Sequence, residues 1–276
     1  VFVSPMLLHK VDHPFDDDAY ITELKLDGIR LILSKFNNQV KLYTRHKNEV
    51  TAKFPELQDL DIPNGTILDG EIIVSNSEGK PDFEFMMERF QSSRSEHQIQ
   101  FCVFDVIYHK GDKVTHLPLL ERKELLDSLI EDGEHIVKVR WIRGNGQAYF
   151  NLIKQQGLEG IVLKRADSKY QVNKRSHDWL KVINYQYTNA VITGLRKDKF
   201  GLLLAIEEGG RLKPGGVMEF MTPAALKEFY SQYQDLIVDE NKKFTFIEPK
   251  IKCRVKFRNY TKAGLLRSPS FVEYIS

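Results

Sequence analysis

At 276 residues, 42% hydrophobic and 28% charged, the chain is long enough for one large domain or two small ones, and it needs no metal or disulfide framework to bury a core. Its longest apolar run, residues 202–206, falls far short of the roughly 20 residues of a membrane span, which excludes the helical membrane class, and no secretory leader is expected from its opening residues. The formal charge of +2 hides an asymmetry: residues 1–186 carry 25 basic and 28 acidic side chains, and residues 187–276 carry 15 and 10, which points the C-terminal part toward a polyanion.

In chain order, period-two alternation and enrichment in Val, Ile, Phe and Tyr predict strands over 20–25, 29–36, 40–45 and 66–74, with Asn37-Asn38 as a tight hairpin turn. A helix follows over 83–92, a strand over 99–108, and helices over 119–131 and 146–156, the first of these opened by Pro118 and closed near Gly133. Strands over 160–164 and 178–183 complete the region. Hairpin-spaced strands mixed with helices make this α+β with antiparallel sheets. Beyond about Gln186 the pattern changes to short strands over 190–196, 202–207, 216–220, 244–247 and 250–258, with one helix over 223–233. Five short strands and a helix suit a small β-barrel such as the OB-fold, so the domain cut is placed between 186 and 187. Cys102 and Cys253 each sit in an apolar alternating run and are expected to be buried, unpaired thiols.

The sharpest chemical signal is E-L-K-L-D-G-I-R, from Glu23 to Arg30. It sets an amine, Lys25, beside a carboxylate, Asp27, and a turn. Gly28 permits close backbone approach or positive φ, and Arg30 adds a planar fork suited to phosphate. A lysine becomes a nucleophile only where its surroundings favour the neutral amine. L-D-G-E-I-I places Glu71 in a strand, E-G-I-V-L-K places Glu159 at a strand start and Lys164 within it, and W-L-K-V adds Lys181. Asp27, Glu71 and Glu159 offer oxygen ligands to Mg²⁺ (or Mn²⁺), and Lys164 and Lys181 offer charge to a phosphate. In K-I-K-C-R-V-K-F-R, Lys250, Lys252, Arg254, Lys256 and Arg258 alternate with Ile251, Cys253, Val255 and Phe257. A strand puts those cations on one face about 6.6 Å apart, a row suited to a phosphate backbone. G-N-G-Q-A-Y at 144–149 lacks the third glycine of a dinucleotide fingerprint, and no Walker loop is present.

In their order, these segments resemble the covalent nucleotidyltransferases, and most closely the small ATP-dependent DNA ligases of bacteria and their viruses. K-x-D-G-x-R is matched by Lys25, Asp27, Gly28 and Arg30; Y-T-R at 43–45, D-G-E at 69–71, V-F-D at 103–105, E-G-I-V-L-K and S-H-D-W-L-K-V follow. V-K-F-R-N-Y-T-K-A-G-L-L-R-S-P-S-F is similar to the end of the ligase OB domain. The resemblance implies a nucleotidyltransferase domain of ATP-grasp-like antiparallel sheets with helices over 1–186 and an OB-fold over 187–276. Lys25 would attack the α-phosphorus of ATP to form a lysyl–AMP. Glu71 would bind the ribose, Phe104 would stack on adenine, and Glu23 would face its edge. Glu159 would position the metal, with Lys164 and Lys181 on the α-phosphate. Arg30 and Arg45 would grip the 5′-phosphate of a nick, and Arg267 would join the basic row on DNA. The expected partner is nicked double-stranded DNA, met by a monomer in the cytoplasm with no membrane contact.

The chain departs from the family pattern at three places. Ile183 stands where a second lysine follows Lys181, and Lys47 where a turn glycine is usual. The match also runs out five residues after Phe271, short of the Arg/Asp/Lys motif that orients pyrophosphate, so the efficiency of the first step is what this departure bears on. An RNA ligase or capping-type guanylyltransferase, and a catalytically silent nucleic-acid-binding protein, stay open as alternatives.

Overall fold

The strand Thr66–Val74 is buried along its whole length except at Glu71, because it runs between two other strands and under helices. It is central in a six-stranded sheet ordered Gln39–Thr44, Ile29–Phe36, Thr66–Val74, Ile99–His109 and Asp112–Lys113, with Ile136–Lys138 also paired to Ile99–His109. A second, five-stranded sheet runs Leu7–Lys10, Arg175–Ile183, Gly160–Arg165, Tyr20–Leu24 and Trp141–Arg143. This computed structural model describes residues 1–92 and 94–275, and the chain divides into two compact units, Val1–Asn184 and Tyr185–Ser276. Each is mixed α/β.

The helices of the first unit, Phe83–Gln91, Leu119–Leu129 and Gly146–Gln155, start where local chemistry favours it. Asp82 caps the first by accepting the Phe85 N–H at 3.0 Å, and Pro118 precedes the second. Leu31, Leu33, Leu68, Phe101 and Val103 form the centre of one core. Met6, Ile21, Ile32, Phe104 and Trp179 form another beside the second sheet. Each such side chain contributes about 1.5–3 kcal/mol on burial.

The second unit is a six-stranded sheet, Arg211–Met218, Leu202–Glu208, Gln186–Arg196, Phe244–Phe257 and Ile237–Glu240 in order, with Ser270–Ile275 also on Phe244–Phe257. Pro223–Gln232 is its helix, capped by the Thr222 hydroxyl, which accepts the Ala225 N–H at 3.2 Å.

Three expectations are corrected. The strands predicted over 244–247 and 250–258 are one, Phe244–Phe257. Pro249 is tolerated because the pairing shifts between Ile192 and Gly194 on the neighbouring strand, a bulge that spares the missing N–H. The strand placed over 216–220 is Arg211–Met218, carrying Pro214 at another register shift. The sheets of the first unit are not wholly antiparallel, since Leu7–Lys10 lies parallel to Arg175–Ile183 and Ile136–Lys138 parallel to Ile99–His109. Cys102 and Cys253 are buried and unpaired.

Candidate active site

Strand register builds one wall of a pocket in the first unit. Glu23 pairs with Val162, Val162 with Lys181, and Lys164 with Trp179, so the period of two puts all five side chains on one sheet face. Lys25 follows the end of its strand, and its N–H donates to the Gly160 carbonyl at 2.9 Å. The opposite wall comes from the six-stranded sheet, where Arg30 and Glu71 are cross-strand partners. The pocket is lined by Glu23, Lys25, Arg30, Glu71, Phe104 and Lys164, with Leu8, Leu24, Leu26, Val162 and Trp179 supplying apolar surface. Gly28 is required by close approach, because a Cβ there would lie 2.1 Å from the Ile72 carbonyl oxygen; no positive φ is involved.

The pocket is dense with charge. Lys25 Nζ donates to Glu159 Oε2 at 2.9 Å. Glu23 is held between two ammonium groups. Lys123 Nζ donates to its Oε1 and, at 2.8 Å, to the Phe104 carbonyl, while Lys164 Nζ lies 2.7 Å from Oε2 as a contact ion pair. Lys164 also sits 4.2 Å from the ring centroids of both Phe104 and Trp179, a cation–π cradle. Burial lowers the Lys164 ammonium to about 8, with Glu23 opposing the shift. Burial likewise pushes the Glu71 carboxyl up to about 7, with Lys25 and Arg30 pulling it back. A carboxylate and an amine moved toward neutrality in one pocket mark a candidate catalytic site.

Arg30 has a partner that sequence reading did not supply. Its Nε and Nη2 form a bidentate pair with Asp69 at 2.5 and 2.6 Å, and Nη2 also reaches the Met6 carbonyl at 3.2 Å. Burial is the largest single influence and would lower its pKa, but Asp69 together with Tyr170 and Glu71 outweighs it and the net shift is upward. Tyr170 donates its hydroxyl proton to the same Asp69 at 2.6 Å and accepts the Met6 N–H at 3.0 Å. The guanidinium, so held, lies 4.6 Å from the Phe104 ring centroid.

The structure therefore gathers Glu23, Lys25, Arg30, Glu71, Phe104 and Lys164 around one space, with Glu159 on Lys25. Lys181 shares the sheet face without lining the pocket, and Ile183, two residues on, is buried. Asp27 lies partly buried in the connection after Lys25, and Arg45 is exposed in the turn after Gln39–Thr44; neither lines the pocket. Among the described residues, no group of three or more His, Cys, Asp or Glu side chains is placed to hold a metal, so Asp27, Glu71 and Glu159 do not converge into a cage.

Lys123 and Arg122 escaped sequence reading, although a signal was present. Leu119, Arg122, Lys123, Leu126 and Leu129 are the buried residues of their helix, so two cations occupy core positions of the helical period. Arg122 clamps Asp105 at 2.7 and 2.9 Å and donates to the Leu117 and Ser168 carbonyls.

In the second unit the basic row is observed on one face. Lys250, Lys252 and Arg254 are exposed and Lys256 and Arg258 partly so, while Ile251, Cys253, Val255 and Phe257 are at most 5% exposed. Lys250 pairs with Glu248 at 2.5 Å. Arg267 adjoins the row, since its carbonyl accepts the Arg258 N–H at 3.0 Å.

A family model described as ATP dependent DNA ligase domain matches residues 5–182. Over 271 residues the chain is 57% identical to the SPbeta prophage-derived DNA ligase-like protein LigB of Bacillus subtilis, with 98% of each covered. It is 29% identical to the multifunctional non-homologous end joining protein LigD of Pseudomonas aeruginosa, covering 98% of this chain but only 35% of that one. Among solved structures, a mycobacterial DNA ligase D complexed with ATP and MES aligns with a TM-score of 0.63 at 26% identity, over 99% of this chain and 95% of the other. A Lig E DNA ligase structure, at 18% identity and a TM-score of 0.69, shares the fold.

Proposed function

The chain belongs to the ATP-dependent DNA ligase family, and we propose that it seals nicks in duplex DNA through an AMP carried on Lys25. The observation that carries this reading is the 2.9 Å contact from Lys25 Nζ to Glu159 inside a pocket that also holds Glu71. In the first step the Lys25 amine forms a P–N bond to the α-phosphorus of ATP and pyrophosphate leaves. Glu159 holds the nucleophile in place and lies where its proton departs. A 5′-phosphate oxygen of the nick then attacks the same phosphorus and displaces Lys25. Finally the adjacent 3′-hydroxyl attacks the 5′-phosphorus and AMP leaves. Each step is an in-line transfer, which calls for positioning and charge neutralisation.

The residues divide accordingly. Glu71 binds the ribose hydroxyls, Phe104 stacks on adenine and Glu23 meets its edge. Lys164 neutralises the α-phosphate from within the pocket, and Lys181 adds its charge from the same sheet face outside the lining. Arg30, engaged by Asp69, holds Phe104 and turns its remaining edge toward phosphate, while Arg45 reaches the nick from outside the pocket. Mg²⁺ or Mn²⁺ would be held by Glu159 and Glu71, since such an ion needs only one or two protein carboxylates beside phosphate and water; it would supply charge neutralisation on the phosphates. The nucleotidyltransferase domain is read over 1–186, two residues past the first compact unit, and the OB-fold over 187–276, whose row from Lys250 to Arg258 follows the DNA backbone. The protein is read as a monomer acting in the cytoplasm; among the described residues no helix is long and apolar enough to cross a membrane.

The test is to incubate the full chain with ATP, Mg²⁺ and a duplex bearing one 5′-phosphorylated nick. Joined product with ATP, and none with NAD or with a 5′-hydroxyl nick, is expected. Joining that needs NAD, or that requires an RNA strand, would replace this reading with one of its relatives.

A further inference from the structure

Two tyrosines stand among the cations on the exposed face of the second unit. Tyr187 is the cross-strand partner of Lys256, and Asn189 of Arg254, so these side chains share a face. Arg254 Cζ lies 5.4 Å from the Tyr187 ring centroid. Lys256 Nζ and Arg258 Cζ lie 5.0 and 5.7 Å from that of Tyr185. Tyr187 is 53% exposed. The core of this unit is built from Ile192, Leu202, Phe229, Val255 and their neighbours, with both tyrosines outside it.

A row of cations is a sufficient answer to a phosphate backbone. The rings add something that a continuous duplex does not use, because each base there is already covered by its neighbours and offers no open π-face. Unpaired nucleotides do, and aromatic rings interleaved with cations are how sequence-tolerant single-strand sites are made. Tyr185 immediately precedes the strand Gln186–Arg196 that carries Tyr187, so the rings spring from positions two residues apart, and extended chain rises about 3.3 Å per residue, a spacing on the scale of bases along a stretched backbone.

We propose that Tyr185 and Tyr187 form a stacking platform for unpaired bases, so that this face binds single-stranded DNA, as at a gap or an unpaired strand end, with Arg254, Lys256 and Arg258 on its phosphates. The proposal rests on the reading of the protein as a DNA ligase and adds a class of DNA to its substrates. The cations polarise the rings and hold them in place, while the bases supply the second partner of each stack.

The experiment compares two fluorescently tagged strands binding to the full chain at one fixed, low salt concentration: a twelve-unit oligothymidylate, and an abasic strand of the same length and charge. Stacking of one or two bases makes the thymidine strand bind about tenfold tighter or more. Tyr185→Leu and Tyr187→Leu each reduce that ratio, and the double variant brings it near one, while the abasic strand still binds with its salt dependence intact. Thermal unfolding of each variant checks that the substitutions at exposed Tyr187 and partly buried Tyr185 leave a folded chain. Equal affinity for the two strands in the parent protein, a ratio that survives the double variant, or no binding of either strand would each overturn the platform. Nick sealing is assayed on the same preparation. A thymidine preference without sealing would sink the ligase reading alone, and sealing without the preference would sink the platform alone.

Discussion

Replacing Lys123 by methionine isolates the buried ammonium behind the candidate pocket. The Lys123 side chain is 4% exposed, and methionine keeps most of its volume while removing every donor. The Phe104 carbonyl, bonded at 2.8 Å, loses its buried partner at a cost of about 1–3 kcal/mol. Glu23 loses one of two counter-charges. Breaking a buried pair costs about 3–5 kcal/mol when nothing replaces the lost partner, but Lys164, 2.7 Å away, still faces the carboxylate, so this part falls below that range. Together they cost about 3–4 kcal/mol, a large share of the roughly 5–15 kcal/mol that holds a domain folded. Urea unfolding followed by the fluorescence of Trp179, which is fully buried, reads the loss. The ATP concentration giving half-maximal adenylation should rise in the same variant, because the substitution loosens both Glu23 and Phe104. Lys123→Arg, which keeps the charge, should recover part of each. A loss below about 1 kcal/mol with an unchanged ATP dependence would refute the role given to this ammonium.

Three other outcomes follow from single features. Lys47 has a φ of 67°, where a side chain costs about 1–2 kcal/mol; Lys47→Gly should therefore raise stability by about 0.5–1 kcal/mol after the entropy of glycine is set against it, and a lower melting temperature would contradict this. Lys164 has its folded-state pKa lowered from 10.5 to about 8, so the unfolded chain keeps the proton longer. Its contribution is complete above pH 10.5 and is lost as the pH falls through 8. The stability of the parent relative to Lys164→Met should rise by about 2 kcal/mol between pH values of roughly 7 and 9.5, and a gap that stays constant would argue against a buried ammonium. Replacing both Lys252 and Arg254 with alanine should lower the salt slope of nicked-duplex binding by about 1.8, measured by titration at several salt concentrations; an unchanged slope would remove this face from the DNA site.

The parts of the fold that were legible in the sequence are those with a long, clean period. Thr66–Val74 and Ile29–Phe36 were read to the residue, because each alternates or runs apolar between turn residues. The short pieces at sheet margins were not. Trp141–Arg143 is exposed at all three positions, and Leu7–Lys10 has four residues and pairs with a strand far along the chain, so neither buries a pattern that a local reading detects. The site shows the same division. Lys25 and Glu71 announce themselves through fixed neighbours, whereas the bond of Arg30 to Asp69 joins residues 39 apart, and no local spacing expresses it. Lys47 is a middle case: the residue expected there was glycine, and the left-handed backbone supplies the reason.

The most direct test of the account is whether AMP becomes bonded to Lys25. The purified chain is first discharged with pyrophosphate, then incubated with ATP labelled at the α-phosphate and Mg²⁺ or Mn²⁺, beside Lys25→Ala. Label that survives denaturation in the parent and is missing from the variant is the expected result. A folded parent that takes up no label with either metal, or a variant that labels as well as the parent, would contradict it.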